Sequence, residues 1–231
     1  MKQVVLFDID GTLLLSDGSG RVSMETALRA TFGTAGPSAY RYDGKTDKLI
    51  VRETMRLAGF DDAAIDARMD TVIERYLGRL RAELSNGKKH AYTLPGVRPI
   101  VDAVEAADDL VLGLLTGNVI LGAELKLNAV GLAPARFRVG AFGSDHEDRP
   151  MLPPIARDRA SAFLGHDVSG ERLVIIGDTP ADIDCGRGVG ARAVAVATGG
   201  FSVEELASHG PVATLSDLSD TARVLELIRD A

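Results

Sequence analysis

Five short runs of β-branched and other apolar residues recur along the chain, at 4–7, 111–115, 139–142, 173–176 and 193–197, with a weaker sixth at 212–215. The five are continuous instead of alternating, so each needs cover on both faces, as strands of a parallel sheet sandwiched between helices do. The segments at 97–106, 120–130, 155–164 and 218–228 carry apolar residues at helical spacing. Strand and helix in alternation predicts an α/β fold, a doubly wound parallel sheet of Rossmann-like layering. Such sheets take ligands in a crevice at the carboxyl ends of their strands.

One interval breaks the alternation. Between residues 16 and 94 no run of this kind occurs, and helical patterns at 22–32, 48–58 and 63–84 take its place. The pattern predicts an all-helical insertion over 16–94, with residues 1–15 and 95–231 forming the α/β core. Gly18-Ser19-Gly20 and Leu94-Pro95-Gly96 are the natural hinges. A chain of 231 residues is long enough for both parts.

The strand ends hold the chemistry. The first run leads into Asp8-Ile9-Asp10-Gly11-Thr12, the second into Thr116-Gly117-Asn118 and the fourth into Gly177-Asp178-Thr179-Pro180-Ala181-Asp182. In a parallel sheet these ends share one edge, so Asp8, Asp10, Asp178 and Asp182 would crowd a single crevice. Four carboxylates at close range do not all stay ionised without a cation. Mg2+ suits oxygen donors, since it binds through one or two carboxylates, keeps waters and accepts a substrate phosphate oxygen. The Thr116 hydroxyl, backbone N–H groups and one basic side chain would complete a phosphate site.

Charge and composition narrow the partners. With 26 basic residues against 33 acidic ones, the chain has no broad positive field for nucleic acid or an anionic membrane, yet one small anionic substrate is compatible with it. The 45% hydrophobic and 26% charged content is that of a soluble globular protein. No apolar stretch is long enough to span a bilayer and no signal-peptide pattern follows Met1, so the expected location is cytoplasmic. The single cysteine, Cys185, has no disulfide partner and reads as a small buried hydrophobe. The expected partner is a small phosphorylated metabolite, and the expected state a monomer or homodimer.

In order along the chain, "DIDGTLL", "LLTGN" and "GDTPADI" resemble motifs one, two and four of the haloacid dehalogenase superfamily of phosphohydrolases. The resemblance spans the whole chain, and the helical insertion is similar to that superfamily's first-type cap domain. It implies that Asp8 is a nucleophile forming an aspartyl-phosphate, and that Asp10 protonates the leaving alcohol and later activates water. It further implies that magnesium binds through the Asp8 carboxylate, the Asp10 carbonyl and Asp178, with Asp182 as a further ligand or as a partner orienting the metal waters. Thr116, with Gly117 and Asn118 beside it, would bind the phosphate. The branch suggested is that of phosphoglycolate phosphatase and β-phosphoglucomutase.

The third motif departs from the pattern. The superfamily places a lysine there, whereas this chain has no lysine after Lys126. Arg149 in "HEDRPMLPP" is the preferred replacement and Arg157 the alternative; either exchanges a point charge for a planar fork. In "YDGKTDKLI", Thr46 or Asp47 starts a helix, and Lys45 is a candidate contact for the non-phosphate end of the substrate. Plainer roles compete at some positions: Thr116 and Asp182 also suit helix capping, and Asp184 suits a solvated helix face. The four histidines lack ligand spacing.

The function implied is magnesium-dependent hydrolysis of a small phosphomonoester, phosphoglycolate-like or a sugar phosphate. A phosphosugar mutase of the β-phosphoglucomutase type is the alternative, disfavoured because "LLLSDGSGRVS" lacks a histidine. A true dehalogenase is disfavoured by the presence of Asp10 and Asp178. A non-catalytic phosphoryl-binding module is the remaining alternative.

Overall fold

The computed structural model describes residues 2–85 and 90–230. Residues 86–89, which fall inside the predicted insertion 16–94, lie outside the described residues, as do Met1 and Ala231. The chain opens with β1 (Gln3–Phe7) and β2 (Leu14–Leu15), then enters α1 (Ser19–Phe32), α2 (Asp47–Leu57) and α3 (Asp62–Ser85). It returns through β3 (Tyr92–Thr93) to α4 (Val97–Ala106), β4 (Leu110–Thr116), α5 (Ile120–Ala129), β5 (Val139–Phe142) and α6 (Leu152–Leu164). It ends with β6 (Leu173–Gly177), α7 (Pro180–Cys185), β7 (Arg192–Val196), α8 (Val203–Ala207), β8 (Ala213–Leu215) and α9 (Thr221–Asp230).

Six strands form one parallel sheet in the order β5-β4-β1-β6-β7-β8. The chain builds outward from β1 in one direction, then restarts at β6 in the other, the doubly wound arrangement the apolar runs predict. Their continuous apolarity has a plain cause. Val5, Phe7, Leu112, Leu114, Val174 and Ile176 face a core shared with Ile100, Val104, Val224 and Ile228 of α4 and α9. Val4, Leu6, Val111, Leu115, Leu173 and Ile175 face the opposite core with Ala156 and Ala160 of α6. Alternate residues serve opposite faces, and a fully buried Val or Leu is worth about 1.5–3 kcal/mol on either.

The strands β4, β1 and β6 are neighbours at the centre of the sheet. Their ends carry the three polar motifs, so those motifs share one stretch of the carboxyl edge. The helices α1, α2 and α3 pack around a core of their own that includes Met24, Leu28, Val51, Met55, Ile65, Val72 and Leu80. Val119, at the start of α5, joins that cluster and ties it to the sheet side. The two chain crossings between the helical segment and the sheet pair as a short antiparallel ribbon, Leu14 with Thr93 and Leu15 with Tyr92. Two-residue strands leave no periodicity to read, so the sequence carries no sign of the ribbon.

The helical segment is pinned above the carboxyl edge by the loop that opens α2. Asp47 N donates to Gly117 O at 2.8 Å, and Val119 N donates to Asp47 Oδ2 at 2.8 Å. Thr46 Oγ1, the N-cap of α2, also donates to Glu147 O at 2.6 Å. Arg52 Nε donates to Glu147 Oε2 at 2.8 Å, and Lys48 Nζ to Ser144 O at 3.1 Å. This contact requires Gly117: a Cβ there would stand 2.2 Å from the Lys45 carbonyl oxygen. Gly117→Ala must therefore push the loop away, at a cost of about 1–3 kcal/mol. A lowered melting temperature together with faster hydrogen exchange at residues 45–49 is the expected result, and unchanged exchange there would show that the loop is not wedged against Gly117.

Candidate active site

Asp8 follows directly after β1 and remains 5% exposed, its amide donating to Ile176 O at 2.9 Å. The chain then turns tightly, with the amides of Thr12, Leu13 and Leu14 all donating to Ile9 O. Gly11 makes the turn possible in two ways. Its φ is 81°, a region costly to residues with a Cβ, and a Cβ there would fall 2.3 Å from Asp178 Oδ2. The turn separates the paired carboxylates: Asp8 points into the protein, while the Asp10 side chain keeps 42% of its exposure.

Asp8, Asp178 and Asp182 each bring a carboxylate oxygen within 4.8 Å of the others, all three being buried. One buried cation answers them. Arg149 Nη2 forms an ion pair with Asp182 and stands 3.5 Å from Asp8 Oδ1. Three carboxylates against one guanidinium leave excess negative charge, and the acidities record it. Burial pushes Asp8 up to about 6 against the pull of Arg149, with Asp182 and Asp10 raising it further. Burial also holds Asp178 well above the usual carboxylate range, reinforced by Asp182 and Asp8.

The donors divide the work. Both Asp182 oxygens are engaged, one by Arg149 and the other by the Thr179 amide at 3.0 Å and hydroxyl at 2.6 Å. The contact from the Thr179 amide is half of a capping box at the start of α7. Asp182 thus faces Arg149 and caps a helix at once. Asp8 and Asp178 are less committed: among the described residues Asp178 Oδ1 accepts only from Thr12 Oγ1, at 3.0 Å. An all-oxygen donor set with uncompensated charge fits Mg2+ or a similar hard divalent cation.

Arg149 lies in a 3-10 turn and is 5% exposed, whereas Arg157, the alternative for the third motif, is at the surface and paired with Asp158. The fork of Arg149 also reaches across to the helical segment, with Nη1 3.5 Å from Gly44 O. At the end of β4, Thr116 is fully buried and its hydroxyl accepts from Asn118 Nδ2 at 2.8 Å. Gly117 contributes close approach of the loop before α2. Lys45 is half-buried at the cavity wall, with Nζ donating to Tyr40 Oη at 2.7 Å and paired with Glu53.

Two residues escaped the sequence reading. Lys126, on α5, is buried and donates to Asp10 Oδ2 at 2.5 Å and Asn118 Oδ1 at 2.6 Å. Its signal was a charge on the apolar face of its helix, beside Leu127 and one turn after Ala123. Asp47, read only as a helix start, is 7% exposed and lines the cavity.

These groups surround a cavity of about 390 Å³ between the sheet edge and the helical segment. Asp8, Asp178 and Arg149 line one side of it, and Met24, Tyr42, Ile50 and Tyr76 line the other. Burial pushes Asp47 up to about 6, with Lys126 opposing the shift. The folded chain therefore keeps the Asp47 proton to higher pH than the unfolded chain does, and stability falls as pH rises through that window. Asp47→Asn keeps an acceptor for the Val119 amide and removes the penalty. It should raise stability by on the order of 1–3 kcal/mol at about pH 8, the gain shrinking below about pH 6 and vanishing near pH 4. Thermal melts across this range check the sign; equal melting at pH 8 would contradict it.

A model of the family described as haloacid dehalogenase-like hydrolase matches residues 5–187. The phosphoglycolate phosphatase of Rhodospirillum rubrum is 27% identical to this chain over 225 residues, covering 95% of the chain and 89% of that protein. The N-acetylmuramic acid 6-phosphate phosphatase of Pseudomonas aeruginosa is 27% identical, covering 90% and 87%. The crystal structure of a hydrolase from Pseudomonas syringae shares the fold with a TM-score of 0.74 at 20% identity, covering 97% and 98% of the two chains.

Proposed function

The chain belongs to the haloacid dehalogenase-like hydrolases, and from that premise we propose that it is a magnesium-dependent phosphatase acting on a small phosphomonoester. The observation that carries this reading is the placement of Asp8 and Asp178, buried together against Arg149 in a 390 Å³ cavity, with Asp10 beside them and partly exposed. Residues 16–94 serve as the cap that covers the cavity.

Asp8 attacks phosphorus as the bond to the leaving oxygen breaks, giving an aspartyl-phosphate. Asp10 supplies the proton that the leaving oxygen takes up. It then accepts a proton from the water that attacks the phosphoryl group, releasing inorganic phosphate and restoring Asp8. Arg149, with Thr116 and the adjoining backbone of Gly117 and Asn118, orients the phosphoryl oxygens. The Asp8 and Asp178 carboxylates and the Asp10 carbonyl would hold magnesium, which would supply neutralising charge for those oxygens. Asp182 holds Arg149 in place.

The cavity walls favour a neutral, hydroxylated leaving group. The cations lining it already face carboxylates: Arg21 faces Glu25, Lys45 faces Glu53, Lys126 faces Asp10 and Arg149 faces Asp182. Asp47 has no cation within ion-pair distance among the described residues and adds negative charge to the wall. A carboxylate next to the scissile ester would meet repulsion there, so a sugar phosphate suits the site better than phosphoglycolate.

Phosphate release from a panel of small esters, with magnesium and after its removal by chelation, tests the reading. Wild type should turn over only with the metal and should prefer sugar phosphates to phosphoglycolate. Asp8→Asn and Asp178→Asn should each lose about 10³-fold or more of kcat, in line with removal of a nucleophile or of electrostatic stabilisation. Release that survives Asp8→Asn would overturn the mechanism.

A further inference from the structure

We propose that Lys126 is a positioning residue that locks the Asp10 carboxylate in its working orientation through a closed triangle with Asn118. Asp10 ends a tight turn and its side chain is 42% exposed. An aspartate so placed has free rotation unless something holds it. Both of its hydrogen bonds fall on Oδ2, from Lys126 Nζ at 2.5 Å and from Asn118 Nδ2 at 2.8 Å. Oδ1 has no hydrogen-bond partner among the described residues and is left to exchange a proton.

The third side of the triangle fixes Asn118. Lys126 Nζ donates to Asn118 Oδ1 at 2.6 Å, which turns the amide so that Nδ2 faces Asp10 Oδ2 and Thr116 Oγ1. A neutral side chain in place of Lys126 would release both Asp10 and the amide that supports it. The ammonium is 5% exposed, and burying it is costly. Room for it is kept by Gly20 on α1, where a Cβ would stand 3.4 Å from Nζ. A buried ion pair of this kind adds little net stability compared with apolar residues of the same volume. Its effect is orientation.

The kinetic part of the test rests on the phosphatase reading; the structural part does not. Lys126→Met, with Lys126→Gln as a second variant should the first fail to fold, is compared with wild type. On an alkyl phosphate the variant should lose about 10²-fold in kcat with KM little changed, the size of a lost general-acid contribution. On 4-nitrophenyl phosphate the leaving group needs no proton, but hydrolysis of the aspartyl-phosphate still needs Asp10. The variant should therefore release a burst of one nitrophenolate per active site and then turn over slowly. A merely structural role would lower burst and turnover together.

A crystal structure of the variant should show Asp10 rotated away from Asn118. If Asp10 keeps the wild-type contact, the proposal fails whatever the rates; if Asp10 moves and kcat stays within threefold, it fails as well. If wild type hydrolyses no phosphomonoester, the functional reading falls while the crystal structure still decides the positioning role.

Discussion

The crowding of carboxylates at the carboxyl ends of β4, β1 and β6 governs much of what surrounds it. Asp8, Asp178 and Asp182 are buried within 4.8 Å of one another, a charge density that an apolar interior does not tolerate unanswered. The chain answers it with one buried guanidinium, with the Thr12 hydroxyl and with Thr179 at the capping box. The remainder is left as weakened acidity on Asp8 and Asp178, whose protons are held to higher pH than in an ordinary carboxyl group. Strain of this kind belongs where a bound cation and a phosphoryl group would be received. It also explains two close approaches of backbone to Asp178, at Gly11 and Gly199, where any side chain would collide with the carboxylate.

A second charge cluster sits beside the first and has a different composition. Asp10, Asn118 and Lys126 form a near-neutral triangle, with Asp47 facing it from the helical segment. The first cluster is short of positive charge; the triangle is balanced within itself, with Asp47 as an added carboxylate beside it. One half of the cavity is therefore suited to an anion accompanied by a cation, and the other to a polar group without charge. That asymmetry, together with the apolar wall of Met24, Ile50 and Tyr76, gives a phosphomonoester a single sensible orientation.

Legibility in the sequence followed the number of residues that shared a signal. Strands buried on both faces announced themselves through four or five consecutive apolar residues, and the three polar motifs were found because each closes such a run. The β2–β3 ribbon had two residues per strand and no signal. Asp182 could be read as a cap or as a charged partner, and its two oxygens perform one role each. Arg149 and Arg157 could not be separated by spacing alone; a turn buries the first, while the helix α6 carries the second outward. Lys126 and Asp47 were passed over for the same reason. A single charged residue on an apolar helix face is a faint signal, and the packing of α5 against α3, with Nζ reaching Asp10 and Asn118, shows that the lysine points inward.

The arginine at the third motif has a geometric consequence beyond its charge. A lysine ends in one ammonium, so it can sit among Asp8 and Asp182 and reach little else. The guanidinium presents separate nitrogens on a rigid plane, and here one meets the two carboxylates while the other turns toward the Gly44 carbonyl of the helical segment. Gly44 itself is pressed against motif four, where a Cβ would stand 2.6 Å from Ala181 Cβ. The same residue thus balances the buried acids and touches the loop that covers them. Departure of that loop would leave one arm of the fork without its partner, so the electrostatics of the acidic cluster and the seating of the helical segment are coupled through Arg149 in a way that a lysine could not reproduce.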